Sequence, residues 1–393
     1  MNAALQAAPF ALFLFILPFP GTVSLRLLCL AAAFVIALAC LRRWSPPRLP
    51  CKAALLAWAL VCAAAVAYSF DVGYSMGEFK NEIVYAFMAF WAFFVFAQGP
   101  RELAIALGAL VSAVTVIVLW GTAGALENGT WIEDAGHGGS GSVSTYLAVV
   151  APLCAIALFA QPGKRARWAL WMVLVLIFIG ALATRQRILW PIFVLEGALG
   201  AWLLRRTGRV SFSRRPGLVV LIASAACATA LVFGLQQWRE HSNQVRPFGV
   251  DARLTVWPKV LAQMAEQPWT GAGLGRQAMR STHPDWVPAE DPQVWHGHNV
   301  VLNAGISMGV PGMLVLLFLF TSLFAAYARL TKSEHPIVRL VGIAGILALV
   351  GVLGRNMTND FFVRDGALLF WAVNGALLGA ALRQLHPART EAA

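Results

Sequence analysis

Two histidines flank a glycine near the end of a long polar stretch, in the run His296-Gly297-His298-Asn299. An imidazole titrates near neutrality, so a histidine at a membrane–water boundary is suited to accept a proton from a hydroxyl. The second set of chemical groups is cationic. Arg185 and Arg187 sit in Thr184-Arg185-Gln186-Arg187, between two apolar stretches, and Arg253 heads an amphipathic segment. Arginine holds phosphate oxygens in a bidentate fork and keeps its charge. Placed where a membrane makes charge costly, such residues are read as functional by default. A polar cluster of Arg355, Asn356, Asp360 and Arg364 lies at the end of a later apolar segment, and Glu196 lies deep within another. His283 stands upstream of the histidine pair, but no third ligand has zinc-site spacing. The expectation is no metal and no cofactor. Cations that hold departing phosphates and a base that activates a hydroxyl together suit group transfer from a pyrophosphate.

These groups must be positioned by membrane-spanning helices. Of 393 residues, 59% are hydrophobic and 12% charged, against about 25% charged in an ordinary globular protein. A soluble multidomain protein and a disordered chain are both excluded. Apolar stretches long enough to span fall at roughly 8–21, 23–41, 53–70, 83–98, 102–124, 142–161, 167–183, 187–204, 216–236, 310–329, 337–354 and 366–383. The fold class is therefore an all-α polytopic membrane protein of about twelve transmembrane helices. The parts are helices one to nine in 1–236, one large loop in 237–309, and helices ten to twelve in 310–393. Eighteen of the 30 Lys and Arg fall in alternate connections. By the positive-inside rule both termini are cytoplasmic and the large loop faces outward. The net charge of +12 thus reports topology, and no nucleic-acid partner is implied. The cysteines lie in or at the ends of the apolar stretches, where they act as small packing groups.

Within the large loop, Leu254, Trp257, Leu261 and Met264 recur at helical spacing, with Asp251 or Thr255 as candidate caps. This reads as a short amphipathic helix, one outcome being that it lies on the outer leaflet. Pro268-x-x-Gly271-x-Gly273-x-Gly275 follows. No strand precedes it, so a dinucleotide site is rejected, and a turn bringing the backbone onto the membrane surface is expected. After His298, Leu302, Gly305 and Ile306 continue a helical face as far as Gly309-Val310-Pro311-Gly312, which should interrupt it.

In combination, Arg253-x-x-x-Trp257, the proline–glycine run, His298-Asn299-x-x-Leu302 and the Gly309-x-x-Gly312 step resemble the O-antigen ligase and polymerase superfamily. The matching core is roughly 180–330, and the chain looks most like the bacterial O-antigen ligases. The resemblance implies a glycosyltransferase C-type architecture in the bacterial inner membrane, with its active site facing the periplasm. It implies a metal-independent, inverting transfer of O-antigen polysaccharide from undecaprenyl pyrophosphate to the lipid A–core oligosaccharide, among membrane lipids. Arg187 and Arg253 would grip the pyrophosphate, and His298 would be the base or its close helper. Arg185, Trp257, His296, Asn299 and Asp360 are placed in the substrate-binding set. The family's Ser-Arg-Gly reads Gln186-Arg187-Ile188 here, and Trp190 at the family's spacing favours Arg187 over Arg185. The related alternatives are an O-antigen polymerase and a protein O-oligosaccharyltransferase. A secondary transporter is disfavoured because no internal repeat is visible.

Overall fold

A computed structural model describes residues 3–41, 43–44, 46–208, 253–287, 289, 295–360 and 362–385. Among these the secondary structure is entirely helical. In chain order the helices are α1 Ala3–Ile16, α2 Val23–Ala39, α3 Lys52–Ala67, α4 Val72–Phe96, α5 Pro100–Asn128, α6 Ser140–Ala160, α7 Lys164–Thr184 and α8 Leu189–Arg206. After a break come α9 Arg253–Glu266, α10 Ala278–Thr282, α11 Val300–Leu330, α12 Pro336–Asn356 and α13 Arg364–Leu385. Of the described helices, α4, α5, α6, α7, α11, α12 and α13 are long and apolar enough to cross a membrane. Eleven of the twelve expected spans coincide with a helix. The remaining one, the ninth at 216–236, lies outside the described residues, as do Asp251 and Cys227.

Two helices depart from the expected boundaries. α4 starts at Val72 rather than near 83, capped by Asp71, whose carboxylate accepts from Tyr74 N at 2.9 Å. Glu78, Lys80 and Glu82 break its apolar pattern, and the helix widens into a π turn over Lys80–Val84. Such turns recur at functional positions. α11 starts at Val300, with Asn299 as its cap, and is broken at Gly309, where φ is 67°.

The bundle is held by close backbone approach as well as by apolar burial. α13 carries Gly375 and Gly379 one turn apart, and a Cβ at either would collide with the Phe90 or Phe94 carbonyl of α4. This is the small-residue contact that lets membrane helices pack. Beyond it, Arg383 donates to Phe94 O at 2.8 Å, Ala97 O at 3.0 Å and Trp44 O at 2.9 Å. It thereby satisfies carbonyls left open at the end of α4. The Gly379→Leu variant is expected to lose about 1–3 kcal/mol of stability through overpacking, read as a lowered thermal midpoint of the detergent-solubilised protein. An unchanged midpoint would count against this contact as a clamp.

Candidate active site

The loop before α11 is fixed by an exchange of backbone hydrogen bonds. The bend at Gly309 and the missing N–H of Pro311 deprive the Ile306 and Ser307 carbonyls of their helical donors. The glycine run replaces them: Ala272 N donates to Ile306 O at 2.8 Å and Gly273 N to Ser307 O at 3.1 Å, while Val310 N turns to Pro268 O at 2.8 Å. Only glycine fits at 271, because a Cβ there would enter the α11 backbone. This corrects the expected turn on the membrane surface, since the run packs against protein. The amphipathic helix is corrected too. α9 buries Val256, Val260 and Met264 against Leu302, Ile306, Val310 and Met313, and Leu261 is exposed. The buried face is thus one residue round from the expected stripe, with Thr255 inside the helix rather than capping it, and it faces α11.

On this frame the histidine loop is held at several points. Trp257 Nε1 donates to Gly297 O at 2.8 Å, and Gly297 N donates to Asn303 Oδ1 at 2.8 Å. Asn299 Oδ1 accepts from Val301 N and Leu302 N, and its Nδ2 donates to Met357 O at 3.1 Å. Asn303 Nδ2 also donates to Asp360, whose other oxygen accepts from Phe362 N at 3.0 Å. His298 adopts φ 47°, a left-handed conformation uncommon outside glycine. Its ring stacks on His296 with centroids 3.9 Å apart. Strain of this kind concentrates at functional sites.

His296 is crowded by donors. Arg276 Nη2 approaches its Nε2 at 2.6 Å, and His298 N donates to its Nδ1 at 3.0 Å. Arg276 also lies over the Trp295 ring, 5.1 Å from its centroid. Burial, then the charges of Arg276, His298 and Arg253, push the His296 pKa far below its ordinary value. His296 is therefore neutral and serves as an acceptor. The unfolded chain binds a proton there near pH 6.5 and the folded one does not, so the stability this residue contributes is present above that pH and is lost as pH falls below it. The His296→Gln variant is expected to show a flatter decline of thermal midpoint between about pH 6.5 and 5 than the parent; an equal slope in both would refute a buried neutral His296.

Arg253 is close enough to influence both His296 and Arg355 electrostatically. Arg355 is almost fully buried and donates to Ser144 Oγ and, at 3.2 Å, to Gly141 O on the first turn of α6. The α7–α8 turn abuts the start of that helix, where Gln186 Nε2 donates to Ser140 Oγ at 3.0 Å. Arg185, also left-handed at φ 53°, donates to Gly129 O and so anchors the turn. Thus His296, His298, Asn299, Trp257, Arg253 and Asp360 come together, while Arg185 and Arg187 stand on a turn joined to them through α6. His283 is not part of the group: it stacks on Trp286 with centroids 4.0 Å apart. Among the described residues no three His, Cys, Asp or Glu groups could hold a metal ion.

Sequence reasoning missed Arg276 and Asn303 and gave Arg355 no role. Arg276 follows the glycine run directly, and Asn303 lies one turn after Asn299, which are the signals that were available. Glu82 was missed as well. It borders a cavity of about 40 Å³ shared with Arg276, Asn303 and Asp360.

Residues 172–317 match the family model described as O-antigen ligase, so the resemblance to that superfamily holds over this stretch. The match contains Arg187, Arg253, Arg276, His296 and His298, whereas Glu82, Arg355 and Asp360 lie outside it. A search of curated proteins finds no match.

Proposed function

We propose that this chain is an O-antigen ligase, moving O-antigen polysaccharide from undecaprenyl pyrophosphate to lipid A–core at the periplasmic face of the inner membrane. The observation that supports this most is the convergence of Arg253, Arg276 and the stacked His296–His298 pair inside the family-matched segment. The guanidinium groups of Arg253 and Arg276 there suit the oxygens of a pyrophosphate.

In the proposed reaction His298 takes the proton from a core-sugar hydroxyl. The hydroxyl oxygen forms a bond to the anomeric carbon as the bond from that carbon to the pyrophosphate oxygen breaks. The electron pair leaves with the pyrophosphate, and one displacement inverts the centre. Arg187 and Arg253 offset the charge that grows on the leaving group, and Arg276 adds a third cation. Arg185 anchors its turn by bonding Gly129 O, and Trp190 at the family's spacing favours Arg187 as the family arginine. Asp360 and Asn303 hold the histidine loop, Asn299 sets the start of α11, and Trp257 fixes the Gly297 carbonyl.

Purified protein incubated with lipid-linked O-antigen and lipid A–core tests the assignment. Glycan appearing on lipid A–core supports the ligase. Lengthening of the lipid-linked glycan would make the chain a polymerase, and no product of either kind would overturn both.

A further inference from the structure

α8 presents Phe193, Glu196, Gly197, Gly200, Ala201 and Leu204 along one helical stripe. Large residues at its ends and small ones between them hollow out that face. Together with α6, α7 and α12 it borders an open cavity of about 490 Å³. Phe159, Phe178 and Leu347 contribute to an otherwise apolar wall. A cavity made for a plain hydrocarbon chain has no use for a carboxyl group, yet Glu196 lines this one. It is 5% exposed, and its Oε1 meets no hydrogen-bond partner among the described residues. Such a group is costly at this depth unless something polar joins it.

The surroundings supply a second polar atom. Pro152 lies inside α6 and cannot donate to the carbonyl one turn earlier, that of Ala148. A Cβ at Gly351 would collide with both Glu196 Oε1 and Ala148 O, so these two oxygens crowd the same glycine gap. Of the two, Glu196 lines the hollow, and the Ala148 carbonyl lies behind it beside Gly351. From Glu196 to Leu204 the stripe runs about 12 Å along the helix axis.

We propose that this cavity binds a lipid alcohol, an apolar chain ending in one hydroxyl, with the hydroxyl at Glu196 and the chain along α8. A hydroxyl has one proton to donate and two lone pairs to accept with, so it donates to the carboxyl when that is ionised and accepts from it when it is protonated. An ammonium group would bring a far larger desolvation cost to the same depth. This site is separate from the histidine cluster and does not depend on the transfer reaction.

The test uses the full chain in lipid nanodiscs, labelled with a photoreactive n-decanol and mapped by peptide. Unlabelled n-decanol should compete about tenfold better than its methyl ether, the worth of one buried hydrogen bond. Glu196→Leu should abolish that preference, and Glu196→Gln, which still donates and accepts, should retain it. Gly197→Leu should lose labelling of α7 and α8 peptides, because a Cβ at 197 meets open space and the side chain can fill the hollow. Equal competition by alcohol and ether in the parent, or a preference that survives Glu196→Leu, would overturn the proposal. Binding is read without any saccharide, so its failure and failure of the ligase reading remain distinguishable.

Discussion

Transfer by the His298→Ala variant is expected to fall by about 10²–10⁴-fold, the usual contribution of a positioned base, with folded protein still in the membrane. The substitution removes the ring that stacks on His296 but leaves the backbone N–H that donates to His296 Nδ1. Asn299 still caps α11. The loop should therefore keep its path, since alanine at this positive φ bears a cost of about 1–2 kcal/mol that histidine already bears. His298→Gly controls for this, since glycine takes φ 47° without strain. If chemistry is what is lost, both variants should be equally inactive although the glycine form is the more stable. Recovery of activity in the glycine variant would point to strain instead, and full activity in either would remove His298 from the base role. Measured initial rates on lipid A–core, beside the thermal midpoint of each variant, decide the matter.

The sequence showed where apolar chain is continuous more clearly than where it is interrupted for a purpose. The expected spans near 102–124 and 337–354 match α5 and α12 because nothing within them competes with apolarity. α4 was read as starting eleven residues late because Glu78, Lys80 and Glu82 break the window. Those charges are accommodated by tertiary neighbours, Glu78 lying 3.8 Å from Arg364 and Glu82 bordering the cavity with Arg276 and Asp360. No local pattern encodes such neighbours.

The histidine pair and Arg253 were legible because an imidazole or guanidinium at a membrane boundary needs a reason to be there. Arg276 carried no such signal. An arginine in a polar loop is ordinary, and its meaning comes only from the 2.6 Å approach to His296. The buried face of α9 was misread by one residue for a related reason. Hydrophobicity alone ranked Leu261 with the core, whereas the packing surface offered by α11 selected Val256 and Val260. In the same way the glycine run looked like a turn. Its task is to donate two N–H groups to carbonyls that Gly309 and Pro311 leave open, about forty residues later.

Arg253→Ala is expected to lower kcat/KM for glycan transfer by about 10²–10³-fold, the loss found when one preorganised charge-stabilising donor is removed. Arg253 influences both His296 and Arg355, so it stands within electrostatic reach of a second guanidinium. Such an arrangement is repulsive in the resting protein and becomes favourable when a pyrophosphate enters, more so as negative charge builds on it during bond breaking. The effect should therefore fall on kcat more than on KM. Arg253→Lys keeps the charge but loses the two-pronged geometry, and should recover only part of the rate. A second readout is independent of catalysis. Arg253 is the last of the influences on the His296 pKa, behind burial, Arg276 and His298, so its removal should leave the loss of stability between about pH 6.5 and 5 unchanged. Were kcat and KM both unchanged in Arg253→Ala, the arginine would have no part in holding the leaving group. A changed acid stability with unchanged kinetics would leave it only as a structural neighbour of His296.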